Sequence, residues 1–297
     1  MRTTCIDEFI CFAEELADAA RVVALKYFRN LVSIEYKRDG SPVTAADREA
    51  EAVIRQMIAE RYPAHGVAGE EYGRISSVGL WSWVIDPIDG TKSFVTGRPT
   101  FGCLIALLYE HQPVLGVIDM PALNERWLGV AGKPSTLDGN NCQSSERKHL
   151  AEATIFATSI DMFTDSERQQ FDRLSAGARF RSFGADCYAY GLLASGHTDI
   201  VMESDMSTYD FLALVPVIEG SGGCISDWHG RPLNDHSGRQ VLATANPTLH
   251  EQCLAMIRVG GTQQTTNEKF GQVPHLRFAD RVLHRIRSPS NGVSQFF

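Results

Sequence analysis

Asp86 and Asp89 stand three residues apart around Pro87, and Gly90-Thr91 follow at once. The run Trp83-Val84-Ile85-Asp86-Pro87-Ile88-Asp89-Gly90-Thr91-Lys92-Ser93-Phe94 thus joins two carboxylates to a turn. Hard cations such as Mg²⁺ take oxygen ligands, commonly a few carboxylates plus a substrate phosphate. Pro87 holds Asp86 extended, because the residue before a proline is pushed out of the α region. Trp83 to Ile85 therefore read as a buried strand that ends at a carboxylate. Gly90 can take backbone angles closed to other residues, which lets the amides of Gly90 and Thr91 turn toward an anion at a helix start. The plainer alternative is a strand followed by a bare Asp-Gly turn, and six specified positions in succession argue against it. The chemistry indicated is that of metal ions facing a phosphate.

This run resembles the signature of the inositol monophosphatase superfamily, and the resemblance extends along most of the chain. Upstream, Gly69-Glu70-Glu71 looks like the family's Gly-Glu-Glu element, and Val43-Thr44-Ala45-Ala46-Asp47 looks like the segment carrying another site carboxylate. Downstream, Tyr209-Asp210 stands where the family usually has Trp-Asp, and Glu219-Gly220-Ser221-Gly222-Gly223 replaces its Glu-Ala-Gly-Gly. The resemblance implies that Glu70, Asp86, Asp89 and Asp210 are metal carboxylates, that the Ile88 carbonyl is a further ligand, and that the cofactor is Mg²⁺, as two or three ions. It also implies that Glu70 and Thr91 orient and deprotonate the attacking water, with Gly90 and Thr91 on the phosphate and Asp47 beside them. Thr44 followed three residues later by Asp47 is equally a capping box at a helix start, so both readings of Asp47 stay open. Four carboxylates in one pocket raise each other's pKa unless cations neutralise them. In a two-metal phosphatase one ion activates water and the other stabilises the leaving oxygen. Lys37 and Lys92 are either directed at the phosphate or simply solvated.

Substrate choice must come from elsewhere. Gly184-Ala185-Asp186-Cys187-Tyr188-Ala189-Tyr190 is similar to the branch of the family that hydrolyses histidinol phosphate, whereas the common inositol phosphatases are small and apolar there. Thr91 to Gly102, Pro113 to Asp119 and Tyr209 to Pro216 are similar to the same branch. Histidinol phosphate carries an ammonium and an imidazole, so its pocket needs acceptors and negative charge, which Asp186 and Glu203 could supply. The alternative for Asp186 is an N-cap on the helix through Tyr188 and Leu192. Glu203 lies seven residues before Asp210, the spacing at which the inositol enzymes place a sugar-binding glutamate, so it does not separate the substrates by itself. Cys187, near the same pocket, reads as a small packing residue.

The chain has 297 residues, enough for a large core in two domains or one layered unit. No apolar run approaches the ~20 residues needed to cross a bilayer, and acidic residues stand where a signal peptide would be apolar. Seven cysteines without a Cys-x-x-Cys pair suggest reduced thiols, so a soluble cytoplasmic protein with no membrane partner is expected. Residues 258–297 hold six Lys/Arg against two Asp/Glu, which leaves the body with 22 basic and 34 acidic groups, a charge of −12. An acidic body disfavours nucleic acid as a partner. The basic tail after Arg258 lacks sustained periodicity and is read as disordered, with one short helix over Phe278 to Arg287.

Apolar periodicity places an opening helix with Ile6, Phe9, Ile10, Ala13, Leu16, Ala17, Ala20, Val23 and Tyr27 on one stripe, and a second helix from Thr44 to Arg61. Strands follow at Trp81 to Asp86, Gly102 to Tyr109, Pro113 to Met120 and Arg126 to Val130, the middle two joined as a hairpin. After a polar stretch from Gln143 to His149, strands and helices alternate to Ile257, and the helix after Asp210 should kink at Pro216. The expected fold class is α+β followed by α/β, with units at 1–142 and 143–257, and the resemblance implies a layered α-β-α-β-α sandwich with homodimerisation. The function expected is a Mg²⁺-dependent phosphomonoesterase, foremost a histidinol-phosphate phosphatase of histidine biosynthesis. The alternatives are an inositol-1-phosphate phosphatase, a 3'-phosphoadenosine 5'-phosphate phosphatase, and a regulatory protein that binds the transcription machinery.

Overall fold

The computed structural model describes residues 6–30, 34–36 and 42–258; Lys37 and the tail from residue 259 lie outside them. The elements run α1 (Ile6–Tyr27), β1 (Ile34–Tyr36), β2 (Pro42–Thr44), α2 (Ala45–Arg61), β3 (Gly66–Gly69), β4 (Gly73–Ile75), β5 (Trp81–Asp89) and α3 (Thr91–Val95). Next come β6 (Gly102–Tyr109), β7 (Gln112–Met120), β8 (Glu125–Val130), β9 (Thr136–Leu137) and β10 (Asn140–Asn141). The remainder is β11 (Thr154–Ala157), α4 (Asp165–Gly177), β12 (Phe180–Phe183), α5 (Tyr188–Ala194), β13 (Ile200–Glu203), α6 (Thr208–Phe211), α7 (Leu214–Gly220), β14 (Cys224–Ser226), β15 (Val241–Thr244) and α8 (Pro247–Arg258).

An eight-stranded sheet has the order β10-β9-β8-β7-β6-β5-β3-β4, and a five-stranded sheet the order β12-β11-β13-β15-β14. The pleat decides what each face of the larger sheet meets. On β5, Trp83 and Ile85 pack with Phe9 and Leu16 of α1 and Ile54 of α2, while Val84 between them faces Leu193 of α5 and Phe211 and Leu214 nearby. Burial on both faces explains why β6 is apolar throughout rather than alternating. The inner helices α5 and α7 also cover one face of the smaller sheet through Val201, Ile225 and Ala243. Its other face, with Ile155, Ile200, Met202 and Leu242, packs on Phe171 and Leu174 of α4 and Leu249 and Leu254 of α8. The result is the layered α-β-α-β-α sandwich that the resemblance implied. Among the described residues no helix is long and apolar enough to cross a membrane.

Two local differences from the sequence reading have physical causes. The strand expected to stop at Asp86 continues to Asp89, with a register shift between them. β3 and β4 were not anticipated, because Gly66-Val67-Ala68-Gly69 has little β-branched or aromatic character and gains its place by pairing in parallel with β5. The helix after Asp210 is interrupted between Phe211 and Leu214, but Leu212 and Ala213 keep right-handed helical angles, so the interruption is the local one expected of Pro216. Pro216 clashes with the carbonyl four residues before it, at Leu212, which is where the helix parts.

Candidate active site

The break in β5 brings its two acids together. Residues three apart on a regular strand point to opposite faces. Here Asp86 pairs with Leu104 and Asp89 with Gly102, so three steps on β5 match two on β6. The extra residue falls at Pro87-Ile88, where proline has no amide to donate, and it restores Asp86 and Asp89 to one side. The Ile88 amide donates to Asp86 Oδ1 at 3.1 Å, which fixes that carboxylate. Gly90 then takes the left-handed region, φ 79° and ψ 42°, and α3 begins at Thr91 as the turn required.

The other acids arrive from neighbouring elements. Asp210 is the third residue of α6, and its Oδ2 accepts the Ser207 amide at 2.6 Å in a capping box. One carboxylate oxygen from each of Asp86, Asp89 and Asp210 lies within 4.8 Å of the others. Glu70 follows β3, whose Gly69 is paired with Ile85, so its charge reaches Asp86 next door. Its loop is held from beneath by Glu51, fully buried on α2, which accepts the amides of Glu71 at 2.7 Å and Tyr72 at 3.1 Å and pairs with Arg55.

The Asp47 side chain reaches both the start of α2 and Thr91. Its Oδ2 accepts the amide and hydroxyl of Thr44 at 2.8 and 2.6 Å, closing the capping box of α2, and its Oδ1 lies 3.3 Å from the hydroxyl of Thr91. That hydroxyl is also 3.2 Å from the Ile88 carbonyl. Lys92 is exposed on α3.

Asp186 is not the N-cap of α5. Its own φ is +50°, the capping position is Cys187, and no side chain there caps the helix. Instead Asp186 Oδ2 accepts the Ser93 hydroxyl at 2.5 Å and stands so close to Gly90 that a Cβ at Gly90 would meet it at 2.7 Å. The amide of Cys187 donates to Asp89 Oδ2 at 2.7 Å, so the Asp186-Cys187 turn touches the acid cluster directly. Glu203, buried at the end of β13, accepts the Thr158 amide at 2.7 Å and the Tyr190 hydroxyl at 2.9 Å. Asp89, Asp186, Glu203, Asp205, Tyr190 and Asp210 share a cleft of about 110 Å³.

Charge crowding dominates this cleft. Burial, then Glu70, Asp89 and Asp210, push the Asp86 carboxyl well above the usual carboxylate range. Burial, then Asp186 and Asp210, do the same to Asp89, against the Cys187 amide that favours its charge. Asp210 is pushed up to about 7, by burial first. Asp186 and Glu203 are also raised by burial, each opposed by its hydrogen bonds. Hard oxygen donors with neighbours that need compensation fit divalent cations of the Mg²⁺ type.

Several of these contacts have no signature in the motif. Glu51 was legible only as a second acid one turn after Asp47 on the buried stripe of α2. Ser93, Thr158, Tyr190 and the Cys187 amide meet the acids only once the sheets are stacked.

Residues 6–260 match the inositol monophosphatase family. The chain is 43% identical over 258 residues to the chloroplastic bifunctional phosphatase IMPL2 of Arabidopsis thaliana, covering 84% of this chain and 75% of the relative. It is 37% identical over 251 residues to a histidinol-phosphatase of Chlorobaculum parvum, covering 84% and 96%. A solved inositol monophosphatase from Zymomonas mobilis superposes with a TM-score of 0.79 at 39% identity, covering 86% of this chain and 99% of that one.

Proposed function

The chain belongs to the inositol monophosphatase family and is a metal-dependent phosphomonoesterase, and from that premise we propose that its substrate is histidinol phosphate, which it hydrolyses to histidinol and phosphate. The observation that carries the substrate is Asp186. A partly exposed carboxylate is held in the left-handed region by the turn it occupies and by Ser93, in contact with Gly90 and in the same cleft as Glu203 and Asp205. A substrate with a cationic amine and an imidazole beside its phosphate finds acceptors and negative charge there. The kinship with the histidinol-phosphatase of Chlorobaculum parvum supports the same reading.

In this reading Asp86, Asp89, Asp210, Glu70 and the Ile88 carbonyl would hold two or three Mg²⁺ ions. When bound, Mg²⁺ supplies positive charge for the phosphoryl oxygens and acidity for a water. The chain's own groups do the rest. Thr91 donates to Asp47 Oδ1, which leaves its lone pairs to accept a hydrogen bond from the attacking water, while Glu70 takes that water's other proton. The water oxygen bonds to phosphorus in line with the ester oxygen, the P–O bond to histidinol breaks, and the leaving oxygen takes a proton from a second water molecule. Gly90 and Thr91 turn the start of α3 toward the phosphate. Family resemblance further suggests a homodimer, the cysteine pattern a cytoplasmic location, and the polar stretch after residue 142 two units over 1–142 and 143–257.

Asp186→Asn is the test, because asparagine tolerates the positive φ and keeps an acceptor for Ser93 while removing the charge. KM for histidinol phosphate should rise by ~10-fold or more, the scale of one lost charge-assisted hydrogen bond. KM for p-nitrophenyl phosphate should change little, whereas equal effects on both would reduce Asp186 to a structural part. Inositol 1-phosphate is the second reading, favoured by the structural kinship with the Zymomonas mobilis enzyme.

A further inference from the structure

His111, Asp235 and His236 come together far from the acid cleft. His111 sits at the tip of the β6–β7 hairpin, where it and Glu110 both have positive φ, 68° and 48°, as a two-residue turn between twisted strands demands. Asp235 and His236 belong to the loop between β14 and β15. The three therefore join opposite halves of the chain, 124 residues apart in sequence.

The Asp235 side chain is only 2% exposed, an unusual position for a carboxylate at a surface loop. Its oxygens stand 3.1 Å from His111 Nδ1, and its Oδ1 stands 3.6 Å from His236 Nε2. The two imidazoles lie 4.8 Å apart, tilted by 37°. Arg74 approaches the remaining side, 3.4 Å from Oδ2. Around a tetrahedral Zn²⁺ with bonds of ~2.0–2.1 Å the ligand atoms are separated by roughly 3.3 Å. The spacing of these groups brackets that value. Three ligand atoms, one from each residue, lie within 4.8 Å of one another.

We propose that His111, Asp235 and His236 form a second metal site, for a borderline ion such as Zn²⁺, separate in place and in ligand chemistry from the all-oxygen acid cluster. Two imidazoles and one carboxylate suit Zn²⁺ or its transition-metal neighbours far better than Mg²⁺. Asp235 Oδ1 faces both imidazoles, while Oδ2 is oriented by Arg74 in the way that carboxylate ligands are held by an outer partner. The imidazoles are exposed, and the cluster borders two surface cavities of about 610 and 370 Å³, so ions reach it freely and a water can complete the coordination. The bound ion would clamp the hairpin to the 227–240 loop. That loop leads to Arg239, whose side chain holds Asp205 and whose carbonyl accepts the Met206 amide, and both of these residues line the acid cleft.

The test is Zn²⁺ binding to the full chain kept in excess Mg²⁺, by equilibrium dialysis and by thermal melting. Wild type should bind one Zn²⁺ equivalent that His111→Ala and His236→Ala lose, or hold at least ~10-fold more weakly, while both variants retain Mg²⁺-dependent phosphatase activity. Zn²⁺ should also raise the Tm of wild type and not of the variants. Asp210→Asn should keep this equivalent, since its carboxylate belongs to the other cluster. Unchanged Zn²⁺ stoichiometry and affinity in both histidine variants would overturn the proposal and leave a hydrogen-bonded cluster only. Should His236→Ala fail to fold, His111→Ala decides alone, because His111 is 61% exposed and its loss leaves no cavity.

Discussion

Asp210 serves two purposes with one carboxylate, since it caps the short α6 through the Ser207 amide and faces Asp86 and Asp89 across the cleft. Asp210→Asn keeps an acceptor for the cap and removes the charge, so the fold should survive. Turnover should fall and the Mg²⁺ requirement rise, each by ~10-fold or more, the scale set by loss of a group that supports a metal. A variant with near-normal rates at low Mg²⁺ would remove Asp210 from the ligand set. At this scale the sequence was most informative: Glu70, Asp86, Asp89 and Asp210 carry their types and spacing in plain view, and the fold brings Asp86, Asp89 and Asp210 within reach of one another. The partners of Asp186 and Glu203 were not legible. Ser93, Tyr190 and Thr158 come from three separate elements or loops, and no local pattern encodes their meeting.

Between residues and fold stand the devices that aim the acids. Glu51 reaches from α2 to the loop after β3, and Glu51→Ala would strand the amides of Glu71 and Tyr72 and leave Arg55 without its buried partner. Loss of such a buried charged acceptor costs about 3 kcal/mol or more. The prediction is a lower Tm by thermal melting together with a reduced kcat, because Glu70 is on that loop; a silent variant would deny that Glu51 positions it. On the other face, β7 approaches the α6–α7 junction so closely that a Cβ at Gly116 would overlap the Ala213 carbonyl. Gly116→Ala should therefore destabilise by ~1–3 kcal/mol, the usual cost of overpacking, read from urea unfolding. Helices and long strands were legible because their periodicity reports burial. The bulge at Pro87-Ile88 and the short β3 were not, since both are settled by strand pairing rather than by propensity.

The whole molecule is held by three helix layers around two sheets, with α5 and α7 between them serving both cores. Alternation of elements in the second half indicated that design, whereas the stacking of the first sheet on the same helices needed the family resemblance. Stability should respond to pH through His65, which stacks on Tyr62 and accepts the Trp83 indole N–H at 3.1 Å through Nδ1. Burial lowers its pKa to about 4. Because the folded value lies below that of the unfolded chain, His65 contributes stability above pH ~6.5 that is lost as pH falls toward 4, and partial exposure makes this a fraction of full one-proton linkage. In His65→Gln, which keeps an acceptor but cannot titrate, unfolding measured from pH 7 to 4 should be less pH-dependent; an unchanged slope would exclude His65 as its source. The central claim concerns chemistry, and the most direct measurement is phosphate release by the purified protein with Mg²⁺, comparing kcat/KM for histidinol phosphate and inositol 1-phosphate side by side. The account predicts a strong preference for histidinol phosphate, abolished by chelation of the metal. Equal or greater efficiency with inositol 1-phosphate would contradict the role given to Asp186, and release that persists without metal would contradict the role given to the acid cluster.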